Sequence, residues 1–366
     1  MFKPGQSWND TNGKPIRAHV GGVLFEAGTY YWYGTNFDGP TIPPSTLPGQ
    51  RFSWYLNRGV TVYSSKDLYN WKYEGSSLAE VEYDPASPFQ PLNGVVRPKV
   101  IKNKATGKYI MMAGLISPDV DTFNDVIVAV SDSPAGPFEF QGKLQWKGMP
   151  NQKGPWASLW EKAKQDAPER IRAFDITLYK DSDEKAYLLT ALGDIRIYEL
   201  SPDYRFAVKC DNMKGVEGEK PAGFKYLTAS ARNHTFCGPE GEAPAVFKYN
   251  GTYYLVTSGL TGWGPNSNVY FTASSLWGPW EPKGSFAGGP KEETTFDSQV
   301  TFVLPLADRP GAFIFMADQF HTVSTLEIPD FRKCRHLWLP IELDSKNNTM
   351  RVNWRNSWDL SIFDNM

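Results

Sequence analysis

Apolar and polar positions along this chain change over in short runs. Segments rich in Val, Ile, Tyr, Phe and Trp are bounded by Gly, Pro, Asn and Asp, the pattern of short, half-buried β-strands. Helical periodicity is scarce; its best instance is "WASLWEKAKQDAPERIR", Trp156–Arg172, with room for a few turns. The strand runs also repeat. An apolar strand, a tight turn and a second apolar strand are followed by a third with a Ser-Asp or Ser-Pro turn and an aromatic finish. This unit recurs five times.

The copies open at "GGVLFEAGTYYWYG", "RPKVIKNKATGKYIMMAG", "FDITLYKDSDEKAYLLTA", "EAPAVFKYNGTYYLVTSG" and "SQVTFVLPLADRPGAFIFMAD". Their turns fall at Gly28, Gly107, Glu184, Gly251 and Gly311, spaced by 79, 77, 67 and 60 residues. One such unit leaves apolar faces bare, and stacking it between neighbours buries them. The pattern predicts an all-β fold: a five-bladed β-propeller of four-stranded antiparallel blades, occupying residues 1–366 as a single domain. A large sandwich or a parallel β-helix does not account for five copies of the same unit.

In a propeller the first strand of each blade lines the central channel, so the residues that open these strands should meet at one rim. Those residues are His19, Arg97 with Val96 before it, Asp175, Glu242, and the run Asp297, Ser298, Gln299. Polar groups at the head of apolar strands are costly to bury unless paired, and a shared position in a repeat points to one site. Asp175 and Glu242 lie on adjacent units. Two carboxylates at one water-poor rim drive their pKa values apart, so one stays protonated near neutral pH while the other, held ionised by Arg172 or Arg97, tunes it. That constellation suits cleavage of a glycosidic bond.

Composition narrows the partners. Aromatic residues make up 14% of the chain, a load suited to packing wide sheets or to stacking on sugars. A net charge of −2 without a basic block lacks the footprint of a nucleic-acid binder. No apolar run is long enough to span a membrane, and "MFKPGQSWND" does not read as a signal peptide, which leaves the compartment open. Cys210, Cys237 and Cys334 are too few and too irregular for a disulfide framework or a zinc site; one disulfide or three free thiols both fit.

The motifs resemble glycoside hydrolase family 43, five-bladed propeller enzymes that act with inversion. "EAPAVFKYNGTYYLVTSG" looks like that family's general-acid strand, which implies Glu242 as the acid. "RAFDITLYKDSDEKAYLL" looks like its third-blade strand, which implies Asp175 as the carboxylate that modulates and orients the acid. More narrowly, "AHVGGVLFEAGTYYWYG", "RPKVIKNKATGKY", "TSGLTGWGPN" and "TTFDSQVTFVLPL" resemble the exo-β-1,3-galactanase branch and its relatives. Two departures stand out. The general-base Asp usual in the first blade is absent at His19–Val20, as it is in that branch, where a Gln matching Gln299 holds the nucleophilic water. The Glu usual before "RPKVI" is replaced by Val96.

The resemblance implies an inverting exo-hydrolase releasing galactose from β-1,3-galactan or arabinogalactan-type cell-wall glycans. The alternatives are an α-L-arabinofuranosidase, a β-galactofuranosidase or a non-catalytic sugar-binding propeller. An acid and a water-holding group about 6.5–9.5 Å apart would suit inversion. Arg97 and His19 are expected at the substrate. The rim loops "NFDGPTIPPSTLPGQRFSWYLNRG" and "LTGWGPNSN" offer Trp54, Tyr55, Trp263 and Asn266 to a sugar, or to packing between blades. No cofactor is implied and no metal motif occurs, although a structural Ca²⁺ in the channel near His19 is compatible with the family. The oligomeric state is left open.

Overall fold

The computed structural model describes residues 1–79, 91–117, 125–145, 173, 175–211 and 240–365. The helix expected at Trp156–Arg172 lies outside them, as does Arg172 as a donor. The described chain is almost entirely strand and turn, with three short 3₁₀ segments at Glu292–Thr294, Phe331–Lys333 and Leu360–Asn365.

Each of the five repeats begins with an antiparallel hairpin, and each hairpin turn contains the expected residue. Gly28, Gly107, Gly251 and Gly311 have φ of 77°, 73°, 80° and 89°, a region that L side chains rarely enter. Glu184 adopts the same conformation at φ 66°. The first strands are His19–Glu26, Gly94–Lys102, Asp175–Lys180, Glu240–Tyr249 and Gln299–Pro305. Each packs on the next, and the fifth packs on the first, so the five close into a ring. This is an all-β propeller, with four-stranded antiparallel sheets in the first two units.

Among the described residues the sheets number six, not five equal blades. Ala186–Leu200 continues past its hairpin and pairs Gly193 with Gly241 and Asp194 with Glu240, fusing the third and fourth units into one seven-stranded sheet. The fifth unit has three strands, Gln299–Pro305, Phe313–Gln319 and Arg335–Pro340. Two further small sheets form from Thr41–Ile42 with Trp54–Tyr55, and from Ala287–Gly288, Glu342–Asp344 and Thr349–Asn353.

The aromatic residues fill the spaces between units. Trp8, Trp32, Trp71 and Trp338 contact one another edge-on or tilted, with centroids 4.7–6.0 Å apart. Phe2 stacks on Trp358 at 4.2 Å where the two ends of the chain pair. Such contacts bury large apolar areas in favourable ring geometry.

Candidate active site

Three of the inner strands carry the same irregularity. The pairing slips by one residue between His19 and Gly22, between Val96 and Lys99, and between Glu242 and Ala245. Inside each bulge one residue is left-handed: Val20 at φ 49°, Arg97 at φ 54° and Ala243 at φ 54°. Bulges re-aim side chains, and here they set the rim. They also correct the alignment read from sequence. Glu242 is equivalent to Val96 and His19, and Arg97 is equivalent to Val20 and Ala243.

Four strand-opening residues form one connected cluster. The buried Arg97 donates from Nε to Asp175 Oδ1 at 2.9 Å, from Nη1 to the Val300 carbonyl at 2.9 Å, and from Nη2 to Gln299 Oε1. The second Asp175 oxygen accepts the Ala243 backbone N–H at 2.8 Å. Gln299 donates from Nε2 to Ser258 Oγ at 2.8 Å and to Glu242 Oε2 at 3.5 Å. Ser258 is the cross-strand partner of Glu242, and Gly241 beside it makes that pairing possible: a Cβ there would lie 2.4 Å from the Ser258 carbonyl oxygen.

Glu242 is half-buried at this cluster. Burial, and then the negative charge of Asp175, push its pKa from the usual carboxylate range up to about 8, against the opposing charge of Arg97 and the Gln299 hydrogen bond. Below it, the fully buried Lys99 reaches the Val20 carbonyl at 3.3 Å, and burial with the Arg97 charge hold its ammonium well below the ordinary lysine range. Gly22 leaves room for that side chain, since a Cβ would come 2.8 Å from Lys99 Cδ.

Several expected features are placed differently. Glu242 and Gln299 touch at 3.5 Å rather than standing 6.5–9.5 Å apart, because Arg97 and Ser258 hold the amide over the acid. His19 does not join the cluster. It is fully buried, stacks on Phe37 at 5.0 Å and His336 at 4.3 Å, and bonds Asp318 through Nδ1 at 3.2 Å. Asp297 turns outward to Lys291 and accepts the Thr294 hydroxyl at 2.8 Å. Tyr55 is fully buried between Phe37 and Phe331, Trp54 stacks on Tyr55 and bonds the Leu92 carbonyl, and both therefore pack the rim loop. Buried Asn266 bonds Gly259 and Thr261 and braces its own loop. Trp263 is half-buried, bonds the Ser53 carbonyl at 3.2 Å and meets Phe320 and Phe331 edge-on.

Ser258, Asp318 and His336 escape a sequence reading. Asp318 sits opposite Gln299 in the fifth hairpin. Its Oδ1 bonds the Nδ1 atoms of both histidines and its Oδ2 accepts the Val20 N–H at 2.6 Å. This cluster does not suit Ca²⁺, which takes roughly six to eight oxygen ligands: it has one carboxylate, and both oxygens are engaged. Cys334 is a buried free thiol; Cys237 and the Cys210 side chain lie outside the described residues.

A closed ring of inner strands sets a high-pKa carboxylic acid beside an ionic cluster, an arrangement compatible with acid-assisted cleavage of a glycosidic bond. The profile of glycosyl hydrolases family 43 matches residues 23–287, and the chain belongs to that family, enzymes that cleave O-glycosyl bonds with inversion. No protein with a curated description matches the chain. Among solved structures it is similar to a family 43 β-1,3-galactosidase at TM-score 0.74 and 29% identity, covering 100% of this chain and spanning 64% of that one. A second β-1,3-galactosidase, solved with galactodeoxynojirimycin, is 30% identical at TM-score 0.74 and covers 98% of this chain and 100% of its own. An exo-β-1,3-galactanase from Phanerochaete chrysosporium, solved with β-1,3-galactotriose, is 26% identical at TM-score 0.70, with 98% of this chain and 68% of that one covered.

Proposed function

We propose that the chain is an exo-acting inverting hydrolase that releases galactose from β-1,3-galactan or related arabinogalactan-type cell-wall glycans. The observation that carries this reading is Glu242, half-exposed at the channel mouth with its pKa pushed up to about 8. Such a carboxyl is protonated at neutral pH and can give its proton to the leaving glycosidic oxygen. Asp175 keeps the acid protonated by its charge and is itself fixed by Arg97 and the Ala243 N–H. Gln299 orients the attacking water once a bound sugar parts it from Glu242; an amide has no pKa near 7 and acts by placement rather than as a base. The galactosidase and galactanase relatives favour the galactan substrate.

Val96 favours a second reading within the family, a furanosidase acting on arabinose or galactofuranose. It packs with Val20, Phe37, Tyr55 and Phe331 and offers no hydrogen bond to a hydroxyl, a loss to which sugar recognition is sensitive. Release of galactose from β-1,3-galactan, set against a panel of aryl furanosides, separates the two. Glu242→Gln is expected to abolish turnover on whichever substrate is cleaved while the protein stays folded. Wild-type rates in that variant would remove Glu242 as the acid.

A further inference from the structure

A polar cleft of about 80 Å³ lies between the N-terminal segment and the start of Arg335–Pro340, lined by Gln6, Trp8, Arg17, Arg332, Arg335 and His336 among others. Its charges are unevenly matched. Arg332 has a full partner in Asp330, at 2.9 and 3.2 Å. The Arg17 side chain is only 18% exposed, yet it donates to a carbonyl, Arg332 O at 2.6 Å, and has only a loose carboxylate, Asp38 at 3.5 Å from Nε, itself 61% exposed. Among the described residues, half-buried Arg335 donates to the Lys333 and Cys334 carbonyls, at 2.8 and 3.0 Å, and forms no ion pair with a carboxylate. Guanidinium groups partly removed from water with weak or no carboxylate pairing are costly, and an oxyanion bound beside them lowers that cost.

Arg17 and Arg335 lie at the same end of the propeller as Glu242. Arg17 lies two residues before His19, which holds the position of Glu242 in the first unit. Arg335 begins the strand that runs in the same direction as Gln299–Pro305, since both are antiparallel to the strand between them. The polar lining, with the guanidinium groups of Arg17, Arg332 and Arg335, suits an oxyanion better than an apolar group.

We propose that this cleft binds the carboxylate of a uronic-acid branch on the glycan, with Arg17 and Arg335 as its ligands. The inference rests on the glycan-hydrolase reading for its biological occupant, while binding itself is independent of catalysis. A charged branch anchored on the rim would orient the polymer so that its end enters the channel. It would also add affinity that a neutral oligosaccharide lacks, and this gain would weaken with salt.

The test is calorimetry on the full chain with sodium glucuronate, glucose and sodium sulfate, for wild type and for Arg335→Ala and Arg17→Gln, each variant checked by thermal melting. The expected result is glucuronate binding weakened at least tenfold in a folded variant, with no heat from glucose. In parallel, Arg335→Ala should lower kcat/KM on a uronate-branched galacto-oligosaccharide and leave the unbranched one unchanged. The proposal is overturned by absent glucuronate binding, by undiminished binding in both variants, or by equal affinity for sulfate with no preference for the branched substrate, which would leave an adventitious anion site. Failure of wild type to cleave the unbranched substrate would strike at the hydrolase reading alone, because the calorimetry still decides the cleft.

Discussion

Glu242 must be protonated to act as an acid, so activity is expected to fall as pH rises through about 8. The charge of Asp175 raises that pKa and the Gln299 hydrogen bond lowers it. The two groups therefore move the alkaline limb of kcat/KM in opposite directions. Asp175→Asn removes the like charge and should shift the limb down by about one pH unit. Gln299→Met removes a donor that favours the carboxylate and should shift the limb up, alongside a lower rate. Limbs that moved together would show that Gln299 does not touch the acid in solution. Glu242, Asp175, Arg97 and Gln299 were legible in the sequence because each opens a repeated strand. His19 shares that signal and misleads, because its bulge directs it to Asp318 rather than to the cluster. Ser258 gives no signal of its own: it is one hydroxyl at a strand end, and only the register places it under Gln299.

At the scale of the strand, the tight turns were legible and the bulges were not. A turn announces itself through Gly or an equivalent residue, whereas a bulge inside an apolar run leaves the composition unchanged and alters only the count across the ladder. The same limit explains the rim aromatics. Trp54 and Tyr55 look alike in sequence whether they face a sugar or another blade, and here both are packed. The start of the acid strand, next to its bulge, can be tested through Gly241, whose φ is 131° and whose absent Cβ would strike the Ser258 carbonyl. Gly241→Ala should break the Glu242–Ser258 pairing, lower kcat by at least tenfold and cost about 1–3 kcal/mol of stability. Urea unfolding read beside the rate would check it. An active, fully stable variant would show that the strand can accept a side chain there.

The whole molecule has to close a ring, and the closure was the least legible feature because its partners lie far apart in the chain. One seam joins the ends: Phe2 and Trp358 exchange backbone hydrogen bonds at 2.7 and 3.1 Å. The other is Asp318 of the fifth unit, which bonds His19 and the Val20 N–H of the first and His336 of its own. In this cluster burial and the neighbouring His336 charge lower the His19 pKa to about 4, while the histidines hold the Asp318 carboxyl far below its usual range. Both shifts carry the same sign for stability. A histidine with a lowered pKa adds stability above its ordinary value of about 6.5, and that stability fades as pH falls towards 4. A carboxylate with a lowered pKa adds stability above about 3.8 that fades only at more acid pH. Asp318→Asn removes an acceptor from a fully buried network and should cost about 3 kcal/mol at pH 7. Its deficit against wild type should persist at pH 5 and narrow by pH 3, where the unfolded chain's carboxylate takes up a proton while the folded one stays ionised. Urea unfolding at those three pH values measures it. A deficit that did not narrow in acid would mean that Asp318 titrates normally, and no deficit at pH 7 would mean that the two ends of the ring are held by the Phe2–Trp358 seam instead.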